Sequence, residues 1–97
     1  MYNSVIAGYS RSPFAMANKG KLKEVKPVNL LAQVIKNLVS QSKINPAEIE
    51  DVVVGCAFQV GEQCFNIGRL VTFLSDLDIR VPGMSVDRWC GSSMEAI

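Results

Sequence analysis

The stretch that most constrains the fold is DVVVGC at residues 51–56, three consecutive valines closed by a glycine and a cysteine. β-Branched side chains crowd a helix and pack well on a pleated surface. An unbroken apolar run, as opposed to an alternating one, describes a strand covered on both faces, as in a parallel sheet. Parallel strands need a crossover, usually a helix, and the chain offers candidates on both sides. Leu31, Val34, Ile35 and Leu38 fall at i, i+3, i+4 and i+7, with Gln33, Lys36, Asn37 and Gln41 off that stripe, and predict a helix over 28–42. Ile67, Leu70, Val71 and Leu74 repeat the spacing behind Asn66, a capping residue type, and predict a second helix over 66–74. Both stripes are expected to be core.

The remaining segments complete an alternation. SVIAG at 4–8 reads as an opening strand, and 9–27 as a long, lysine-rich loop. In NPAEIE, Asn45 caps, Pro46 suits the first helical position and Glu48 takes the reciprocal capping place, which predicts a short helical turn. After Pro82 and Gly83, residues 84–86 read as another strand, and Cys90, Met94 and Ile97 have the spacing of a helix just begun. The expected class is α/β, in the order βαβαβα, with a parallel sheet and right-handed crossovers. The last helical pattern reaches Ile97 without a Gly or Asn stop signal, so the expectation is part of a longer chain.

Composition narrows the function. Ninety-seven residues allow one small unit with a modest core. Ten Lys plus Arg against nine Asp plus Glu leave a net charge of +1, too little to hold nucleic acid or an anionic membrane. No basic, apolar leader opens the sequence and no run approaches the ~18 apolar residues of a membrane span, so the expected location is cytoplasmic. Three cysteines, Cys56, Cys64 and Cys90, form no C-x-x-C pair, and there is no histidine, which argues against a disulfide framework and a zinc site. A nucleophilic thiol would need its base from elsewhere.

Cys90 stands where strand gives way to helix, between Trp89 and the small residues Gly91, Ser92 and Ser93. Free amides and the dipole at a helix start favour thiolate over thiol. Small neighbours leave room for a substrate carbonyl, with the Cys90 N–H available to a developing oxyanion. The plain alternative is a buried apolar cysteine.

The blocks R-S-P-F at Arg11 to Phe14, D-V-V-V-G-C, G-E-Q-x-x-N-I-x-R, V-P-x-M-S-V and D-R-W-C-G-S-S-M-E-A-I, in that order, resemble the amino-terminal part of a thiolase from Val5 to Ile97. The resemblance implies a layered α/β sandwich of two similar halves, of which residues 1–97 supply an incomplete first domain. It implies that Cys90 attacks the keto carbon of a 3-ketoacyl-CoA, releases acetyl-CoA and carries the acyl group as a thioester until CoA takes it. Condensation of two acetyl-CoA units is the reverse. Coenzyme A enters as substrate, and no cofactor or metal is implied. The family's activating histidine and second catalytic cysteine lie in later segments, so the 97-residue chain alone is expected to be inactive. Dimers or tetramers of like chains are implied as partners. Related ketoacyl or hydroxymethylglutaryl synthases, and a non-catalytic acyl-CoA- or lipid-binding member, are the alternatives.

Asp87 stands where thiolases usually have Asn, and Ser93 where many have Gly. Cys56 and Cys64, upstream of the nucleophile, are read as structural, with Cys64 oxidisable if exposed. Lys19, Lys21, Lys23 and Lys26 are read as a solvated loop, the CoA phosphates being the functional alternative. Arg69 and Arg88 are expected to pair with acids beneath the site, and Trp89 to pack as a wall beside the thiol.

Overall fold

The structure, a computed structural model, describes residues 3–97; residues 1 and 2 of the expected 1–97 domain lie outside the described residues. The elements are α1 (Pro27–Ser42), β1 (Val52–Gly55), α2 (Ile67–Leu74), β2 (Gly83–Val86) and α3 (Ser92–Ala96), with single helical turns at Pro46–Glu48 and Gly61–Gln63. Pro27 opens α1, where its missing N–H leaves no bond unmade, and left-handed Lys43 closes it. Asn45 caps the next turn, its side chain accepting from the Ala47 N–H at 3.1 Å.

The order is therefore αβαβα. The strand expected over 4–8 is not formed, and the segment is irregular. It follows α1 instead of the sheet: Asn37 donates to Ser10 Oγ at 3.0 Å, and Gly8 abuts Leu38 and Ser42. A strand exists through its ladder partner, and without one Val5 and Ile6 stay 82% and 79% exposed.

β1 and β2 pair in parallel, Val52 opposite Gly83 and Gly55 opposite Val86, with α2 as the connection. α2 rests on β2 through bare backbone: a Cβ on Gly68 would meet the Met84 carbonyl, and one on Gly83 the Gly68 carbonyl. Side chains lock this approach. Asn66 caps α2 by accepting from the Arg69 N–H at 3.3 Å, and its amide donates to the Gly83 carbonyl at 3.0 Å. Ser85 Oγ donates to Asn66 Oδ1 and accepts from the Gly68 N–H, both at 3.0 Å. Thus the Asn66, Arg69 and Ser85 blocks form one joint.

This close approach rotates the packed face of α2 by one position. Ile67 and Val71 are buried as expected, but Gly68 and Thr72 accompany them, while Leu70 and Leu74 emerge at 38% and 43% exposure. Small residues let helix and strand come near, and the leucines are left at the margin. Arg69 also departs from expectation, since it pairs with no acid among the described residues. Its guanidinium donates to the carbonyls of Val81 and Ile79, holding the segment that leads into β2, and lies 4.3 Å from the centre of the Phe73 ring. In that segment the Arg80 side chain and amide both donate to Asp78, holding its carboxyl well below the usual carboxylate range.

α3 lies on the other face. Gly83 and Ser85 meet α2, whereas a Cβ on Gly55, in the opposite pleat, would strike the backbone of Ser92 and Ser93. The valine strand is thus approached from both sides, although Val52, Val53 and Val54 are only half-buried. Among the described residues, no helix is long and apolar enough to cross a membrane.

Candidate active site

β2 ends at Val86 and α3 begins at Ser92. The five residues between turn the chain from sheet to helix, and Cys90 is the fourth of them, exposed. Trp89 makes the turn possible by adopting left-handed backbone, φ 48°, which a bulky side chain rarely does. Four bonds hold it there. Asp87 Oδ1 accepts from the Trp89 N–H at 2.9 Å. Ser92 Oγ accepts from the Arg88 N–H at 2.9 Å and donates to the Trp89 carbonyl at 2.6 Å. The Gly91 N–H donates to the Arg88 carbonyl at 2.9 Å. Outside the turn, Arg88 pairs with Glu95 at 2.9 Å.

The thiol therefore stands in water on a short, tightly tied turn, accessible to an incoming carbonyl. Ser92 is only 4% exposed, and its hydroxyl both donates and accepts within the turn. Gly55 lets it sit there, because nothing larger fits between β1 and the start of α3.

The sequence reading places Cys90 and the strand-to-helix transition correctly, and Arg88 does pair with an acid. Other parts need correction. α3 starts two residues after Cys90 and runs for only five. Met94 and Ile97, whose spacing with Cys90 predicts this helix, are 83% and 90% exposed, and the buried residue of α3 is Ser92. Trp89 does not pack as a wall beside the thiol: it stands on left-handed backbone and is 80% exposed. Cys56 is buried just after β1, its thiol donating to the Phe58 carbonyl at 3.5 Å, and Cys64 is half-buried before α2. The structural reading of Cys56 fits that place. The basic loop is exposed, with Lys23 4.0 Å from Glu24. The sequence reading does not reach the bracing roles of Asp87 and Ser92. Residue type carries a signal only for Asp87, an Asn/Asp-type residue two before a bulky one.

The architecture defines an α/β unit that presents a cysteine between a parallel strand and a helix. Across residues 4–97 the chain matches the model of the thiolase N-terminal domain, and it belongs to the thiolase family. It is 37% identical over 94 residues to a 3-ketoacyl-CoA thiolase of Saccharophagus degradans, covering 96% of this chain and 24% of that protein. A 3-ketoacyl-CoA thiolase of Colwellia psychrerythraea is 40% identical over 98 aligned positions, covering 100% and 25%. Among solved structures, the Bacillus anthracis acetyl-CoA acetyltransferase superposes with a TM-score of 0.84 at 30% identity, over 94% of this chain and 23% of that one. The chain spans about a quarter of the length of these relatives.

Proposed function

We propose that this chain is the nucleophile-bearing part of an acyl-CoA C-acyltransferase, with Cys90 as the acyl carrier. What supports this is one observation: the exposed thiol sits on a braced turn between a parallel strand and a helix, within a chain of the thiolase family. In cleavage, Cys90 Sγ, its proton removed by a base, attacks the keto carbon of a 3-ketoacyl-CoA. The bond between that carbon and its α-carbon breaks, and the electron pair leaves on acetyl-CoA, which takes a proton from an acid. The acyl–Cys90 thioester is then attacked by the sulfur of free CoA, which restores the thiol. Splitting one carbon–carbon cleavage into two transfers lowers each barrier. Run backwards, the same steps condense two acetyl-CoA units. The base and the acid come from outside these 97 residues, which contain no histidine. CoA esters as substrates, assembly with like chains, and a cytoplasmic location complete the reading.

The test uses protein carrying this chain together with the rest of a thiolase's length. Brief incubation with acetyl-CoA and digestion are expected to place one acetyl group on the peptide containing Cys90, removed again by free CoA. Cys90→Ser is expected to lower thiolysis by about a thousandfold or more. An acetyl group found on Cys56 or Cys64, or turnover surviving in Cys90→Ser, rejects the assignment.

A further inference from the structure

The sulfur belongs to Cys90, but two of the bonds that fix its turn belong to the side chain of a residue two positions later. Ser92 Oγ is the only side-chain atom among the described residues that bonds both Arg88 and Trp89, accepting from one amide and donating to the next residue's carbonyl. It spans the left-handed residue that precedes the thiol. Its residue is buried, 4% exposed, with backbone packed against β1 at the point where Gly55 has no side chain. The ion pair of Arg88 with Glu95 cannot replace it, because that pair is exposed and joins side chains, leaving the backbone of the turn free.

We infer that the Ser92 hydroxyl is a positioning group for Cys90: it transmits the fixed geometry of the β1–α3 contact to the turn that aims the sulfur. This rests on Cys90 being the nucleophile. The hydroxyl touches no reacting atom, so its loss misdirects attack without weakening the hold on the CoA part of the substrate. A misplacement of about 1 Å at a reacting centre costs up to about a hundredfold in rate.

In the same longer protein, Ser92→Ala is expected to reduce kcat and the single-turnover rate of Cys90 acetylation about 10- to 100-fold, with KM changed less than about threefold. Ser92→Thr, which keeps the hydroxyl, is expected to recover most of the rate. If Ser92→Ala lowers the melting temperature while kcat and acetylation match the parent, the serine is merely structural and the inference is wrong. Should Ser92→Ala fail to fold, Ser92→Thr decides: a folded variant acetylating near the parent rate supports positioning, and a folded but slow one overturns it. Cys90→Ser separates the two ideas. If it retains turnover, the functional reading falls; if it is inactive while Ser92→Ala equals the parent, only the positioning role falls.

Discussion

A bulky residue with left-handed backbone is costly, roughly 1–2 kcal/mol, because Cβ crowds the following carbonyl. Trp89 is held in that state next to the thiol, and Asp87 is one reason it stays, through the 2.9 Å bond its carboxylate accepts from the Trp89 N–H. The Asn that the family resemblance leads one to expect at this position carries an amide oxygen able to accept the same bond from the same place. Asp87→Asn is therefore expected to leave the melting temperature and Cys90 acetylation close to the parent. Asp87→Ala removes the acceptor and is expected to destabilise by about 1 kcal/mol and slow acetylation. Thermal melts and the acetylation assay on both variants check this. Equal behaviour of the Asn and Ala variants would show that the bond does not restrain the turn.

Between elements, the strongest constraints are places with no side chain. α2 meets β2 through Gly68 and Gly83, and α3 meets β1 through Gly55. Gly55→Ala and Gly68→Ala each drive a methyl group into backbone, which cannot swing aside, and are expected to cost about 1–3 kcal/mol or more. Gly61→Ala is the control. Its methyl meets open space, but φ is +58°, so the expected loss is about 1 kcal/mol and purely conformational. Chemical denaturation of the three variants ranks them, and a Gly61 variant as damaged as the other two would refute the close-contact account. The same contacts mark the limit of what periodicity reveals. The α1 stripe of Leu31, Val34, Ile35 and Leu38 is half-buried as the spacing predicts, and the strand at 51–56 is shorter by one residue at each end. The α2 stripe is misread because apolar spacing weighs Leu70 and Leu74 above Gly68 and Thr72, whereas close packing on a strand selects small residues. The segment 4–8 is misread because apolar character carries no information about whether a partner edge is available. At the site, residue type and spacing reveal the cysteine and the turn, but not the hydroxyl that ties it, since a serine's partners are set by three-dimensional placement.

At the scale of the whole molecule, the distribution of aromatic side chains is decisive. All four phenylalanines are 53% to 100% exposed and the single tryptophan is 80% exposed. Among the described residues the buried apolar set is Ala32, Cys56, Ile67, Val71 and Val81, mostly small. Burying one large apolar side chain contributes about 2 kcal/mol, so five left in water forgo on the order of 10 kcal/mol, comparable to the whole stability of an ordinary domain. A cleft of about 480 Å³, lined by Leu31, Val53, Cys56, Phe58 and Ile67 among others, exposes further apolar surface. These 97 residues by themselves are therefore expected to bind an apolar-surface dye such as anilinonaphthalene sulfonate strongly, to melt broadly at low temperature, and to self-associate as concentration rises. They are also expected to cleave no 3-ketoacyl-CoA, having a thiol but no histidine to activate it. The same residues within a protein of a thiolase's full length are expected to bind little dye and melt cooperatively, because the remaining three quarters supply the surfaces that cover the aromatics. Dye fluorescence, calorimetry and sedimentation on the two forms make the comparison. A sharp, concentration-independent transition without dye binding in the short form would mean that its exposed aromatics are tolerated as they stand, and that the unit is stable without a larger partner.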